Sequence, residues 1–144
     1  MAKWPVRELM SKDPHTLHED EALAQAVELV VVRKMRHIPI LNSQGALVGI
    51  VTDRDVKRSL PSPFSIAASE EYDRIVNDTQ LSRLMTRDPV TIDADVEVEE
   101  AVQQILDLRV GGLPVLSQGK VVGVFTERDA LRGLLKRLNA VSKP

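Results

Sequence analysis

The sequence has no cysteine, which excludes disulfides, thiolate zinc sites and a cysteine nucleophile, and permits a reducing compartment. The charges nearly cancel, 19 Lys and Arg against 21 Asp and Glu, so nothing argues for nucleic acid or for a polybasic partner. Any ligand is met by local charge. The opening "MAKWPVRELM" lacks the apolar core of a signal peptide, and no run approaches the ~18 residues of a membrane span; a cytoplasmic protein without membrane attachment is expected. A Gly-rich phosphate loop, a nucleophile elbow and a metalloprotease signature are also missing. His15, His18 and His37 share neither a helical face nor a metal-ligand spacing. With no nucleophile–base pair at usable spacing, the expectation is no catalytic residue, no metal and no required cofactor.

What is present is a repeat. Shifted by 75 positions, "LMSKDPHTL" (Leu9 to Leu17) falls on "LMTRDPVTI" (Leu84 to Ile92), and "IPIL" (Ile38 to Leu41) falls on "LPVL" (Leu113 to Leu116). One residue is then lost in a turn, and at an offset of 74 "LVGIVTDRD" matches "VVGVFTERD". Such repetition arises when one supersecondary unit needs a copy of itself to bury its apolar face. With 144 residues, 43% of them hydrophobic, the chain suits two half-size units sharing one domain. The expected division is repeat 1 over 1–60, a linker over 61–80 and repeat 2 over 81–144.

Within each repeat the apolar period changes in order. Leu23, Ala26, Val27, Val30 and Val31, and in the copy Val98, Ala101, Val102, Ile105 and Leu106, form a helical stripe. Two β-rich runs follow, Ile38 to Leu41 and Leu47 to Val51, copied as Leu113 to Leu116 and Val121 to Phe125; each pair reads as a hairpin with a Gly-containing loop. Pro39 and Pro114 are expected at a strand start or edge. "TDRDVKRSL" and "TERDALRGLLKRLNA" read as helices. The fold class is mixed α/β, with two pseudo-symmetric β-α-β-β-α repeats. The linker offers a short helix near Ala67 to Val76. Trp4, Phe64 and Tyr72 lie outside the repeat cores, where they cover the ends of the pair or meet a second copy.

The repeated strand-to-helix corner is the candidate site. A helix start carries free N–H groups and attracts phosphate. Thr52 and Thr126 stand at the N-cap position, and Asp55 and Asp129 three residues on complete what resembles a capping box, which would account for both pairs without a ligand. Arg54 and Arg128 recur at one place in both copies, and guanidinium suits phosphate oxygens. Ahead of the first hairpin, Arg33, Lys34, Arg36 and His37 either complement the helix dipole or bind phosphate. The copy instead has Arg109, Gly111 and Gly112; the glycines either end their helix or let a flat base approach the backbone.

Two copies of this pattern, DPxT, a helix, a proline-containing strand, and VGhhTxRD, in which h is apolar, resemble a tandem of cystathionine β-synthase (CBS) domains, a Bateman module. The resemblance covers roughly residues 6 to 60 and 81 to 138. It implies repeats packed through their sheets, a homodimer, and two clefts that take adenosyl ligands: AMP, ADP, ATP or S-adenosylmethionine. The ribose-binding acids would be Asp55 and Asp129, and the phosphate-side hydroxyls Thr52 and Thr126. The base would lie between Thr16, Leu17 and His18 and the opposing Ile38 and Pro39, or between Thr91, Ile92 and Asp93 and the opposing Leu113 and Pro114. The expected function is a regulatory sensor of an adenine nucleotide that signals to an unidentified regulated protein. The alternatives are a dimerisation module with empty clefts and an S-adenosylmethionine sensor.

Overall fold

The computed structural model describes residues 3–61 and 68–142. In chain order its elements are β1 (Ser11–Lys12), β2 (Leu17–His18), α1 (Leu23–Val27) running into a π-helical turn (Glu28–Val32), β3 (His37–Leu41), β4 (Leu47–Thr52), α2 (Asp53–Ser59), α3 (Ala68–Asp78), β5 (Thr86–Arg87), β6 (Ile92–Asp93), α4 (Val98–Leu108), β7 (Gly112–Ser117), β8 (Lys120–Thr126) and α5 (Glu127–Ser142). The mixed α/β class holds, with two four-stranded sheets ordered β2-β3-β4-β5 and β1-β8-β7-β6. Two compact units result. One is contiguous, His15–Pro89; the other joins the segment ending at Pro14 to the segment beginning at Val90.

The units are therefore offset from the sequence repeats by one strand. β1 belongs to the first repeat by sequence but pairs antiparallel with β8, Lys12 opposite Gly123. β5 belongs to the second repeat and pairs with β4, Arg87 opposite Gly49. The "LMSK" and "LMTR" segments are thus edge strands exchanged between repeats. Gly49 and Gly123 admit them: a Cβ at Gly49 would lie 2.5 Å from Met85 Sδ and 3.0 Å from the Thr86 carbonyl oxygen, and one at Gly123 would meet Met10 and Ser11 in the same way.

Most of the helical stripe is buried, but Val31 and Leu106, expected on it, are 54% and 66% exposed, and Leu29 takes a core position instead. Leu23, Ala26, Leu29 and Val30 pack with Ile38, Ile40, Val51, Val56 and Val76 in the contiguous unit; Val98, Ala101 and Ile105 pack with Leu113, Val115 and Phe125 in the other. The two helices differ in one respect. Across Glu28–Val32 the first one widens, so that the Arg33 amide bonds the Glu28 carbonyl at 3.4 Å. Three consecutive valines there crowd a regular turn, whereas the copy, without them, stays α-helical to Leu108. Both segments turn out through left-handed residues, Lys34 (φ 60°) and Arg109 (φ 55°). Gly111 and Gly112 do not terminate a helix; Gly112 opens β7 opposite Thr126.

Each hairpin turns at a glycine with φ 79°, Gly45 or Gly119, and the Asn42 carboxamide fixes the first turn by accepting from the Gln44 and Ala46 amides at 2.9 and 3.0 Å. β3 is an interior strand, yet Pro39 keeps the expected edge position. β2 pairs with β3 only at Ile40 and Leu41, so at Pro39 the strand is locally an edge and the missing N–H is tolerated. Pro114 repeats this, because β6 begins its pairing at Val115. The linker helix α3 packs Tyr72, Ile75 and Val76 on the contiguous core. Trp4 packs on the other core with the Arg137 guanidinium 4.5 Å from its ring centre; Phe64 lies outside the described residues. Among the described residues no helix is long and apolar enough to cross a membrane.

Candidate functional site

The parallel pairing of β2 with β3 and the antiparallel return of β4 bring Thr16, His37 and Thr52 to one end of the first sheet. Thr91, Gly112 and Thr126 occupy the corresponding end of the second. His18 and Asp93 lie further along, opposite Leu41 and Leu116. The side chains of Ile38, Ile92 and Leu113 are buried in the cores, so the surfaces these positions can offer a flat ring are those of the backbone and of the half-buried Thr16, Leu17 and Thr91.

At the corner itself, both capping boxes form. Thr52 Oγ1 accepts from the Asp55 amide at 3.2 Å, and Asp55 Oδ2 accepts from the Thr52 amide at 2.9 Å. Thr126 and Asp129 make the same two bonds at 3.2 and 2.9 Å. The helix-capping role that the spacing suggested is therefore real at both corners. Each capped aspartate retains acceptor capacity beyond the single backbone bond, because a carboxylate offers roughly four lone-pair positions.

The surroundings of the two corners differ. At the first, the Asp53 amide bonds the Arg36 carbonyl at 3.1 Å and His37 is registered with Thr52, which draws the basic run up to the Thr-Asp pair. Lys34, Arg36 and Arg54 are exposed and make no ion pair among the described residues, while Arg33 Nη1 lies 3.0 Å from His15 Nε2. At the second corner Gly111 and Gly112 replace Arg36 and His37, and the Glu127 amide bonds the Gly111 carbonyl at 3.0 Å. Arg128 is exposed there. The first corner is the more cationic. His18 Nδ1 accepts from the Asp20 amide at 3.1 Å, a local role, and no cluster of three or more metal-ligating side chains occurs among the described residues.

Two residues that the sequence did not single out join the second corner. Ser11 on β1 donates its hydroxyl to Asp129 Oδ1 and Oδ2 at 3.1 and 3.3 Å, and the Arg132 guanidinium donates to Oδ1. Arg132 matches Arg58 at the repeat offset of 74, a signal that could have marked it, but nothing local points to Ser11, which is 118 residues from its partner.

Comparison with known proteins places this geometry. The CBS domain model matches residues 6–62 and 81–136. A CBS domain-containing protein of Dictyostelium discoideum is 34% identical over 137 residues, 94% of each chain. An L-aspartate semialdehyde sulfurtransferase of Methanocaldococcus jannaschii is 27% identical, but the match spans 22% of its length. Among solved structures, an acetoin utilization protein from Vibrio cholerae superposes with a TM-score of 0.76 at 26% identity, covering 99% of this chain and 100% of that one. The CBS domain pair of MJ0100, in complex with 5-methylthioadenosine and S-adenosyl-L-methionine, gives 0.76 at 24% identity over 94% and 99%. CBSX2 from Arabidopsis thaliana, in complex with AMP, gives 0.76 at 23% over 94% and 98%. With two matched copies that together take in most of its residues, the chain belongs to the CBS domain family.

Proposed function

We propose that the protein is a cytoplasmic, non-enzymatic regulatory module that binds an adenine nucleotide at one or both Thr-Asp corners and signals to a regulated partner. The observation that carries this reading is the set of exposed cations Lys34, Arg36 and Arg54 around Thr52 and Asp55, none of which makes an ion pair among the described residues. Such cations match phosphate, and the capped acid keeps lone pairs for a ribose diol. The AMP complex of CBSX2 supports the nucleotide class. AMP, ADP and ATP rank above S-adenosylmethionine, whose sulfonium cation gains nothing from this cluster. Calorimetric titration with all four ligands tests the reading. Heat from the nucleotides, abolished in the Asp55→Asn/Asp129→Asn double variant, is expected; no heat from any of them would refute it.

A second reading is a dimerisation module with empty corners, for which an exposed apolar stripe alone would suffice. Leu131, Leu134, Leu135, Leu138 and Val141 on α5 are 55–85% exposed and form one apolar stripe of period 3.5. A homodimer through this stripe is compatible with both readings, so the titration separates them.

A further inference from the structure

The two corners carry Thr, Arg and Asp at the same three places, but their capping acids are in different states. Asp55 is half-buried, and among the described residues its carboxylate accepts only the Thr52 amide. Asp129 is fully buried. It accepts the Thr126 amide, the shared Ser11 hydroxyl and the Arg132 guanidinium, so of its roughly four lone-pair positions about one is left, too few for two further donors. Thr86 and Arg58, which stand where Ser11 and Arg132 stand in the other unit, make no such bonds to Asp55.

We propose that Ser11 and Arg132 are positioning residues that latch Asp129 into the interior and make the two corners unequal. The proposal rests on the reading in which these acids hold a ribose diol. A diol brings two O–H donors. At Asp55 they meet free lone pairs, whereas at Asp129 they must displace the Ser11 hydroxyl. Ser11 lies on β1, an exchanged edge strand two residues long, so occupation of the second corner loosens β1 and occupation of the first does not. The internal latch thus sets an order of filling and gives the second event a mechanical consequence.

The test combines AMP titration with hydrogen exchange on the full chain. The parent should bind AMP at one tight site, lost in Asp55→Asn and retained in Asp129→Asn. Ser11→Ala should strengthen a second site at least tenfold, while Ser11→Thr, which keeps the hydroxyl, should titrate as the parent does. Two equal sites in the parent, or a second site indifferent to Ser11→Ala, would overturn the proposal. The latch also has a readout that needs no ligand. Ser11→Ala should speed amide exchange across residues 11–13 about tenfold, whereas Thr86→Ala should leave residues 86–88 unchanged. Equal responses on the two strands would refute the latch. If AMP gives no heat in the parent, the nucleotide reading and the order of filling fall together, and the exchange result alone judges the latch.

Discussion

Replacing Gly123 by alanine tests whether β1 is seated by a missing side chain. The added Cβ would fall 2.5 Å from Met10 Sδ and 2.7 Å from the Ser11 carbonyl oxygen. The thioether can swing aside. The carbonyl cannot, because it belongs to the strand registered against Gly123, so β1 itself must move. Overpacking of this kind costs about 1–3 kcal/mol, and alanine recovers roughly 0.5–1 kcal/mol of backbone entropy in a strand. The net loss spans about 0–2.5 kcal/mol, and the middle of that range, about 1–2 kcal/mol, is expected because the carbonyl contact is to backbone. At roughly 2–4 °C per kcal/mol for a chain near this size, the melting temperature falls by about 2–8 °C. Gly45→Ala is the control: its Cβ meets nothing within 4 Å, but φ is 79°, and the left-handed penalty of about 1–2 kcal/mol lowers stability without touching β1. Hydrogen exchange separates the two. Gly123→Ala should deprotect β1, including the Asp13 amide bonded to the Val122 carbonyl, and Gly45→Ala should not. Adding Met10→Ala should fail to restore Gly123→Ala, since the carbonyl remains. A Gly123→Ala protein with the parent melting temperature and parent protection of β1 would refute the argument.

Thr52→Ala and Thr126→Ala each remove an N-cap and should cost about 1 kcal/mol by urea denaturation, with or without nucleotide. Arg36→Ala/Arg54→Ala should weaken ATP more than AMP in calorimetry and flatten the salt dependence of ATP binding, because screening acts on the phosphate contacts. Sedimentation of the parent should give about twice the 16.0 kDa chain mass, and Leu134→Glu/Leu138→Glu should return it to monomer; a parent that stays monomeric across a wide concentration range would sink the dimer.

The repeat, the helical stripes, both hairpins and both capping boxes were legible because each is encoded within a few residues. Leu23 and Ala26, or Thr52 and Asp55, carry their own spacing. The exchanged strands were not legible: two residues are too few for a period, and the pairing of Lys12 with Gly123 is set by tertiary packing. The edge role of Pro39 was legible, although the strand that carries it is interior at its other end. The glycines at 111 and 112 suggested a helix end that Arg109 supplies instead by adopting φ 55°. Of the site, the Thr-Asp pairs could be read directly, but the filling of Asp129 by Ser11 and Arg132 could not, because Ser11 reaches it only through the strand exchange.

The exchange of β1 also orders events during synthesis. The contiguous unit is complete once residue 89 has emerged, and domains tend to fold as they leave the ribosome. β1 is made well before its partner, since β8 is registered with it only at Gly123 and Val124. Long separation of this kind slows folding more than it weakens the final state. Until then Val6 and Leu9, both buried at the end, stand in water with no core to enter. A pause in translation after the first unit therefore leaves a finished unit joined to an apolar segment that has no partner yet.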